Sequence, residues 1–327
     1  MRASLCVLTA AALVVGFSLE RPAFIKAAPG QQTQDGRPLY SVSSELVVLN
    51  VTVRDKGNRY LDGLQREAFS VFENDQAQPV RFFLHEDAPV TIGLLIDNSG
   101  SMQPNRDLVV AAASAFAKNS NPQDDLFALA FNEEVHQALA TDAPFTHDPI
   151  VLRDAMERAV TTRGRTALYD AVSRGLEYVE QGSHDRKVLV VVSDGADNSS
   201  IQTFEEIEKK TQDSNVTLFA VAIVDPADTF QPWKRLKDLA EVTGGELFHP
   251  NNVKQVNDVL LRIAQEIRHT YVMAYEPTQA APANGIRHIR VEVQSPSKQK
   301  ITIRTKAGQA SSASVKREAR GNGTNGR

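Results

Sequence analysis

Three short segments carry the side chains able to do chemistry. The first is Asp97-Asn98-Ser99-Gly100-Ser101, a D-x-S-x-S pattern directly after the apolar run Thr91 to Ile96. The second, 161–166 (TTRGRT), ends in the hydroxyl of Thr166 just before the helical pattern TALYDAV. The third, Ser193-Asp194-Gly195-Ala196-Asp197-Asn198, follows KVLVVV, the strongest buried-strand signal in the chain. Two carboxylates (Asp97, Asp194) and three hydroxyls (Ser99, Ser101, Thr166) converging on one rim suit a hard divalent cation. Mg²⁺ takes oxygen ligands in an octahedron at about 2.0–2.1 Å and usually keeps several waters; Mn²⁺ and Ca²⁺ are the alternatives.

Other uses of the same residues have to be weighed. Asp97, Asp194 or Ser99 would each serve as a helix N-cap, since each begins a strand-to-helix turn. One such loop is better explained as a cap, whereas three on one rim are better explained as a metal site. A strand ending in Asp97 also suits an aspartyl-phosphate phosphatase, but those enzymes want a second Asp two positions later, and Ser99 stands there. Ser99 as a hydrolase nucleophile needs a base in reach, and the histidines (85, 136, 147, 184, 249, 269, 288) show no triad or metal-ligand spacing. No G-x-x-x-x-G-K-[ST] loop is present, which disfavours nucleotide hydrolysis. Arg163 and Arg165 beside Thr166 are candidates for contact with an anionic ligand, with solvated loop charges as the plainer reading. Asp197 is either a supporting group behind the metal ligands or simply exposed. Asp170 either orients the second loop or faces solvent.

The elements that must position these loops follow from hydrophobic periodicity. Strands are expected at 91–96, 126–131, 187–192, 216–224 and briefly at 246–248, with a short edge strand at 135–140. Helical spacing marks 107–118, 150–160, 167–180, 204–211, 234–242 and 253–269. Near-continuous apolar strands separated by amphipathic helices mean a doubly wound, mostly parallel α/β sheet covered on both faces, over residues 91–268. In such sheets ligands bind at the carboxyl ends of the strands, where the three loops lie.

Both flanks are β-rich. Val47, Leu49, Val51 and Val53 alternate with Val48, Asn50 and Thr52, and 69–72 and 80–84 are expected to pair across Asn74-Asp75. Strands are also expected at 271–275, 288–293 and 301–304, the last two as a hairpin. Neither flank alone buries a stable core. The expectation is that 41–90 and 269–308 pack together as one β-sandwich-like domain into which the α/β domain is inserted.

Composition removes several function classes. The 36 Lys+Arg against 40 Asp+Glu give a formal charge of -4, which argues against nucleic acid as partner. With 42% hydrophobic and 23% charged residues the chain of 327 is globular and long enough for about two domains. The single cysteine, Cys6, excludes a disulfide scaffold and a thiolate zinc site. Arg2 followed by the apolar run Leu5 to Leu19 reads as a signal peptide over 1–27, too short for a comfortable membrane span. A polar linker (28–40) follows, and 309–327 reads as a disordered tail. The protein is therefore expected in the periplasm, cell envelope or extracellular space, with no stable membrane span once the signal is removed.

The D-x-S-x-S pattern, the later Thr166 and the later S-D-G resemble the metal-ion-dependent adhesion site of von Willebrand factor type A domains, over roughly 91–268. That resemblance implies that Ser99 and Ser101 ligate the metal directly, that Thr166 is the matching second-loop hydroxyl, and that Asp97 and Asp194 hold the metal largely through water. The segment from ELVVLNVTVRD to LLIDNSGSM, together with YVMAYEPTQ, is similar to the acidobacterial VWFA-related family of exported proteins. One departure is that Gly308 is followed by Gln309-Ala310-Ser311 where aromatic residues are expected, which bears on the last strand's boundary. The implied function is a non-enzymic, metal-dependent adhesion or protein-binding module. Two carboxylates roughly neutralise the cation, and an Asp or Glu of a partner protein fills its open position. The alternative is a metal-assisted phosphate or ester hydrolase using the same carboxylates.

Overall fold

The computed structural model describes residues 46–85, 87–161, 163–224, 231–279, 287–294 and 300–306. The signal peptide, the linker, Cys6 and the tail read from the sequence lie outside these residues. Among the described residues thirteen strands and six α-helices follow in the order β1–β10, with α1–α6 interleaved after β5, then β11–β13.

The centre is a six-stranded sheet in the order β10-β9-β8-β5-β6-β7. Its strands are β5 (Thr91–Asp97), β6 (Asp125–Phe131), β7 (Val135–Gln137), β8 (Lys187–Ser193), β9 (Val216–Ala222) and β10 (Leu247–Phe248). All neighbours are parallel except the edge strand β7, which runs antiparallel to β6. Every residue of β5, β6, β8 and β9 is buried, as helices on both faces require, and this is why these strands read as unbroken apolar runs. The helices are α1 (Arg106–Lys118), α2 (Pro149–Ala159), α3 (Leu168–Val179), α4 (Phe204–Asp213), α5 (Trp233–Val242) and α6 (Val256–Arg268). They pack side by side as α2–α1–α6 and α3–α4–α5, the doubly wound arrangement expected. Where a helix of 253–269 was expected, a 3₁₀ turn precedes α6.

The flanks form two antiparallel sheets. One has the order β13-β1-β11-β4, from Ile301–Thr305, Val47–Asp55, Thr270–Tyr275 and Val80–Leu84; the other is β12-β2-β3, from Ile289–Val293, Phe69–Glu73 and Gln76–Gln78. Each sheet contains strands from both ends of the chain, so neither flank completes a sheet alone. Leu49, Val51, Val71, Met273, Val291 and Ile303 belong to the shared core. Two tyrosines of β11 reach across it: Tyr275 Oη donates to Glu73 Oε2 at 2.9 Å and Tyr271 Oη to the Leu61 carbonyl at 2.7 Å.

Two pairings differ from expectation. Phe69–Glu73 does turn at Asn74-Asp75, where both residues have positive φ (49° and 63°), but its partner is Gln76–Gln78. Pro79 interrupts the strand, and Val80–Leu84 crosses to the other sheet to pair with β11. Likewise β12 and β13 do not form a hairpin; β12 pairs with β2 and β13 with β1, each burying alternate residues against the same core from opposite sides.

The inserted domain leaves and rejoins the sandwich at neighbouring points. The chain passes from β4 to β5, and only His269 separates α6 from β11. Arg268 clamps the two crossings, with Nη1 2.5 Å from Asp87 and Nη2 3.1 Å from Asp124. A second clamp joins β1 and β13 to α6, where Arg54 and Arg304 both reach the carboxylate of Glu266, which is fully buried. Among the described residues no helix is long and apolar enough to cross a membrane.

Candidate functional site

β5 and β8 are adjacent and parallel, with Ile96 opposite Val192, so their carboxyl ends deliver Asp97 and Ser193 side by side. Ser193 Oγ donates to Asp97 Oδ2 at 2.6 Å, and the Ser99 backbone N–H donates to Asp97 Oδ1 at 2.9 Å. Past the strand ends the first and third loops meet again. Ser101 Oγ donates to Asp194 Oδ2 at 2.6 Å, and Ser99 Oγ lies 3.1 Å from Ser101 Oγ. Ser99 stands at the start of a 3₁₀ turn (Gly100–Asn105), but its side chain makes no capping bond, so the cap explanation does not account for its hydroxyl.

The second loop is laced to both others through its backbone. Gly100 N–H donates to the Gly164 carbonyl at 3.1 Å, and Arg163 N–H to the Asn98 carbonyl at 2.8 Å. Thr166 N–H donates to Asn198 Oδ1 at 2.9 Å, while Asn198 N–H returns a bond to the Thr166 carbonyl at 2.9 Å. Hydrogen bonds thus link Ser99, Ser101 and Asp194 side chain to side chain, Asp97 is tied to Ser99 and Ser193, and Thr166 is joined to the third loop through its backbone. Asp97, Ser99 and Thr166 are buried at its floor, Asp194 is half-buried, and Ser101 is exposed, so the cluster opens to solvent on one side.

The donors are all oxygen, as a hard cation prefers. Among the described residues no three His, Cys, Asp or Glu side chains form a metal-holding group, so this cluster depends on its hydroxyls. Burial pushes the Asp97 carboxyl up to about 6, with the Asp194 charge adding to the rise and the Ser193 and Ser99 bonds opposing it. Both carboxylates accept bonds from serine hydroxyls, Asp97 from Ser193 and Asp194 from Ser101, and a cation would take the place of these hydroxyl protons.

The candidate contact residues take other positions. Asp197 is half-buried and its Oδ1 accepts from Leu168 N–H at 2.8 Å and from Ser200 Oγ at 2.5 Å, capping α3, whose own N-cap Ala167 has no side-chain acceptor. Arg165 is exposed and its guanidinium reaches the Asn198 carbonyl. Arg163 is exposed, and among the described residues it has no ionic partner. Asp170 orients the third loop, accepting from Ile201 N–H and Gln202 N–H at 2.9 and 3.0 Å. Sequence reasoning passed over Ser193. Its signal was present: a lone polar residue closing an apolar strand that runs in register with β5.

Gly195 fixes the third loop's approach to α5. Its φ is +85°, and a Cβ there would lie 2.6 Å from Trp233 Cα and 2.7 Å from Trp233 N, where only backbone could yield. Gly195→Ala is expected to lower the melting temperature by about 10 °C, from roughly 3 kcal/mol of strain and clash. Gly63→Ala, at φ +69° with nothing within 4 Å, should cost only about 1 kcal/mol. Thermal melts of the two variants check this; equal losses would remove the backbone contact as the cause.

An open, mostly parallel sheet wrapped by helices, with an oxygen-rich cluster at the carboxyl ends of its central strands, defines a Rossmann-like α/β domain with its cluster at the switch point between β5 and β8. The chain belongs to the von Willebrand factor type A domain family, whose sequence profile matches residues 91–262. No curated protein matches the chain. Among solved structures it is similar to a von Willebrand factor type A protein from Catenulispora acidiphila, at 16% identity and TM-score 0.47, covering 63% of this chain and 52% of that one. It is also similar to the vWF domain of a type V pili tip protein from Porphyromonas gingivalis, at 15% identity and TM-score 0.45, covering 55% of this chain and 95% of that one. A third is an aerotolerance-related membrane protein from Bacteroides fragilis, at 16% identity and TM-score 0.44, covering 54% and 98%.

Proposed function

We propose that this chain is an exported binding module that holds a divalent cation, Mg²⁺ first, on Asp97, Ser99, Ser101, Thr166 and Asp194, and captures an Asp or Glu carboxylate of a protein partner there. The observation that carries this reading is the continuous hydrogen-bonded run Ser99–Ser101–Asp194, set beside Asp97 and opening outward at Ser101. The apolar run Leu5 to Leu19 supports export to the periplasm, envelope or cell exterior.

The bound cation would supply an electrophilic centre with room for one more oxygen. The chain's own residues do the rest. Asp97 and Asp194 offset the positive charge, Ser193 and the Ser99 N–H keep the Asp97 carboxylate from turning, and the backbone bonds through Gly164 and Asn198 hold Thr166 in place. Hydrolysis is the weaker reading, because a nucleophilic Ser99 would need a base within hydrogen-bond reach. His147 and His184 bond backbone carbonyls elsewhere, and His249 stacks on Trp233, so these rings have other partners than Ser99.

Calorimetric titration of the full chain with Mg²⁺, Mn²⁺ and Ca²⁺ tests the site. One ion per chain is expected, with affinity reduced at least tenfold in Asp194→Ala, and an Asp-containing peptide should bind only with the ion present. Absence of uptake, or metal-stimulated turnover of phosphate or ester substrates, would overturn the proposal.

A further inference from the structure

Beside the first loop runs an open groove of about 340 Å³, bounded by Asn98, Asn132, His136, Arg158, Thr161 and Arg163 among others. We propose that this groove receives a second carboxylate of the same ligand, so that the preferred partner is an acidic peptide bearing two Asp or Glu side chains. The inference rests on the carboxylate capture proposed above and adds the chemistry of the partner.

Charge is the first argument. Two guanidinium groups and an imidazole line the groove, and no carboxylate does. Among the described residues neither Arg158 nor Arg163 forms an ion pair, although arginines elsewhere on the surface mostly do: Arg153 pairs with Asp154, Arg174 with Glu177 and Arg290 with Asp75. Two exposed carboxylates border the loops without joining the lining. Glu134 lies 3.6 Å from His136, and the Glu133 carboxylate packs over Gly164. With Asp97 and Asp194 matched against a divalent ion, Arg158 and Arg163 are the charged groups that face into the groove itself, while Glu133 and Glu134 stay outside its lining. A planar, always-charged guanidinium is the side chain best suited to a bidentate carboxylate.

Continuity is the second argument. Asn98 lies between the two metal-loop residues Asp97 and Ser99, and it is 2% exposed. Its backbone N–H donates to the Phe131 carbonyl at 2.7 Å and its carbonyl accepts from Arg163 N–H at 2.8 Å. Asn132 Nδ2 donates to the Arg163 carbonyl at 3.2 Å. The groove floor and the metal loop are therefore one cross-braced piece of backbone, and a ligand seated on the metal through one carboxylate meets a fixed second subsite. That second contact is intramolecular once the first has formed, which raises its effective concentration.

The test uses the full chain in Mg²⁺ and Gly/Ser peptides carrying either one Asp or a second Asp placed one to four residues away. The best two-Asp peptide should bind about tenfold tighter than the one-Asp peptide at low salt, with the advantage shrinking as ionic strength rises. Arg158→Gln should remove most of that advantage and Arg158→Glu should invert it, while Mg²⁺ uptake measured without peptide stays unchanged in both. If no spacing improves on one Asp, or the advantage survives Arg158→Glu, the groove proposal falls while carboxylate capture stands. If the ion binds but no peptide does, carboxylate capture fails and the groove reading fails with it.

Discussion

Asp97→Asn is expected to abolish divalent-cation uptake while leaving the metal-free protein folded, and to erase a pH dependence that the wild type shows. In the folded protein burial raises the Asp97 carboxyl from 3.8 to about 6. Between those values the folded state holds a proton that the unfolded chain releases. Stability therefore falls as pH rises from about 4 to 6, by about 3 kcal/mol in all, and is level above that. Asparagine removes the titration and keeps acceptors and donors for Ser99 N–H and Ser193 Oγ. Urea melts in chelator should thus show the slope in the wild type and none from this group in the variant. With metal present the requirement reverses, since the carboxylate form is the one that serves a cation. Affinity should drop about tenfold for each pH unit below 6. Undiminished Mg²⁺ uptake by Asp97→Asn would dismiss the assigned site.

Glu266→Ala is expected to cost about 3–5 kcal/mol, the largest stability loss of any single charged residue named above. The carboxylate is fully buried on α6 and faces Arg54 of β1 and Arg304 of β13. Burial lowers the Arg304 guanidinium to about 10, which still leaves it charged at neutral pH. Glu246 takes part of the load, reaching both arginines, but it is 30% exposed and sits at the edge of the cluster. Without Glu266 the buried Arg54 and the half-buried Arg304 face each other with one half-wet partner. Lys237→Ala, which breaks an exposed i,i+4 pair with Glu241, should change stability by no more than about 0.5 kcal/mol. Chemical denaturation of both variants measures the contrast. A small loss for Glu266→Ala would mean that water reaches the cluster.

Much of this was legible in the sequence, for identifiable reasons. The runs 91–96, 126–131, 187–192 and 216–224 hold fully buried strands, the last of them ending at Ala222, and full burial leaves no polar face to disguise them. The three loops announced themselves because carboxylates and hydroxyls at strand ends serve no core. What escaped the sequence was partner choice. The period-two pattern of 289–293 and 301–305 fits either sheet of a sandwich, so alternation names a face without naming a neighbour. Arg54 and Thr52 occupy the alternate, outward positions of β1 and read as solvated, yet the α/β domain covers that face and buries them. Asp197 and Asp170 lie in the right loops but spend their oxygens on backbone N–H groups, a division of labour that residue type does not reveal.

The Arg268 clamp has a consequence for how such a protein can change. Both crossings into the inserted domain sit at the pole where the parallel strands begin, and the oxygen cluster sits where they end, about 20 Å away along a seven-residue strand. Changes at the cluster end therefore leave the two crossings undisturbed. Exposed residues such as Arg158 of α2 or Ile201, which is 93% exposed, can be exchanged without touching the Arg268 contacts.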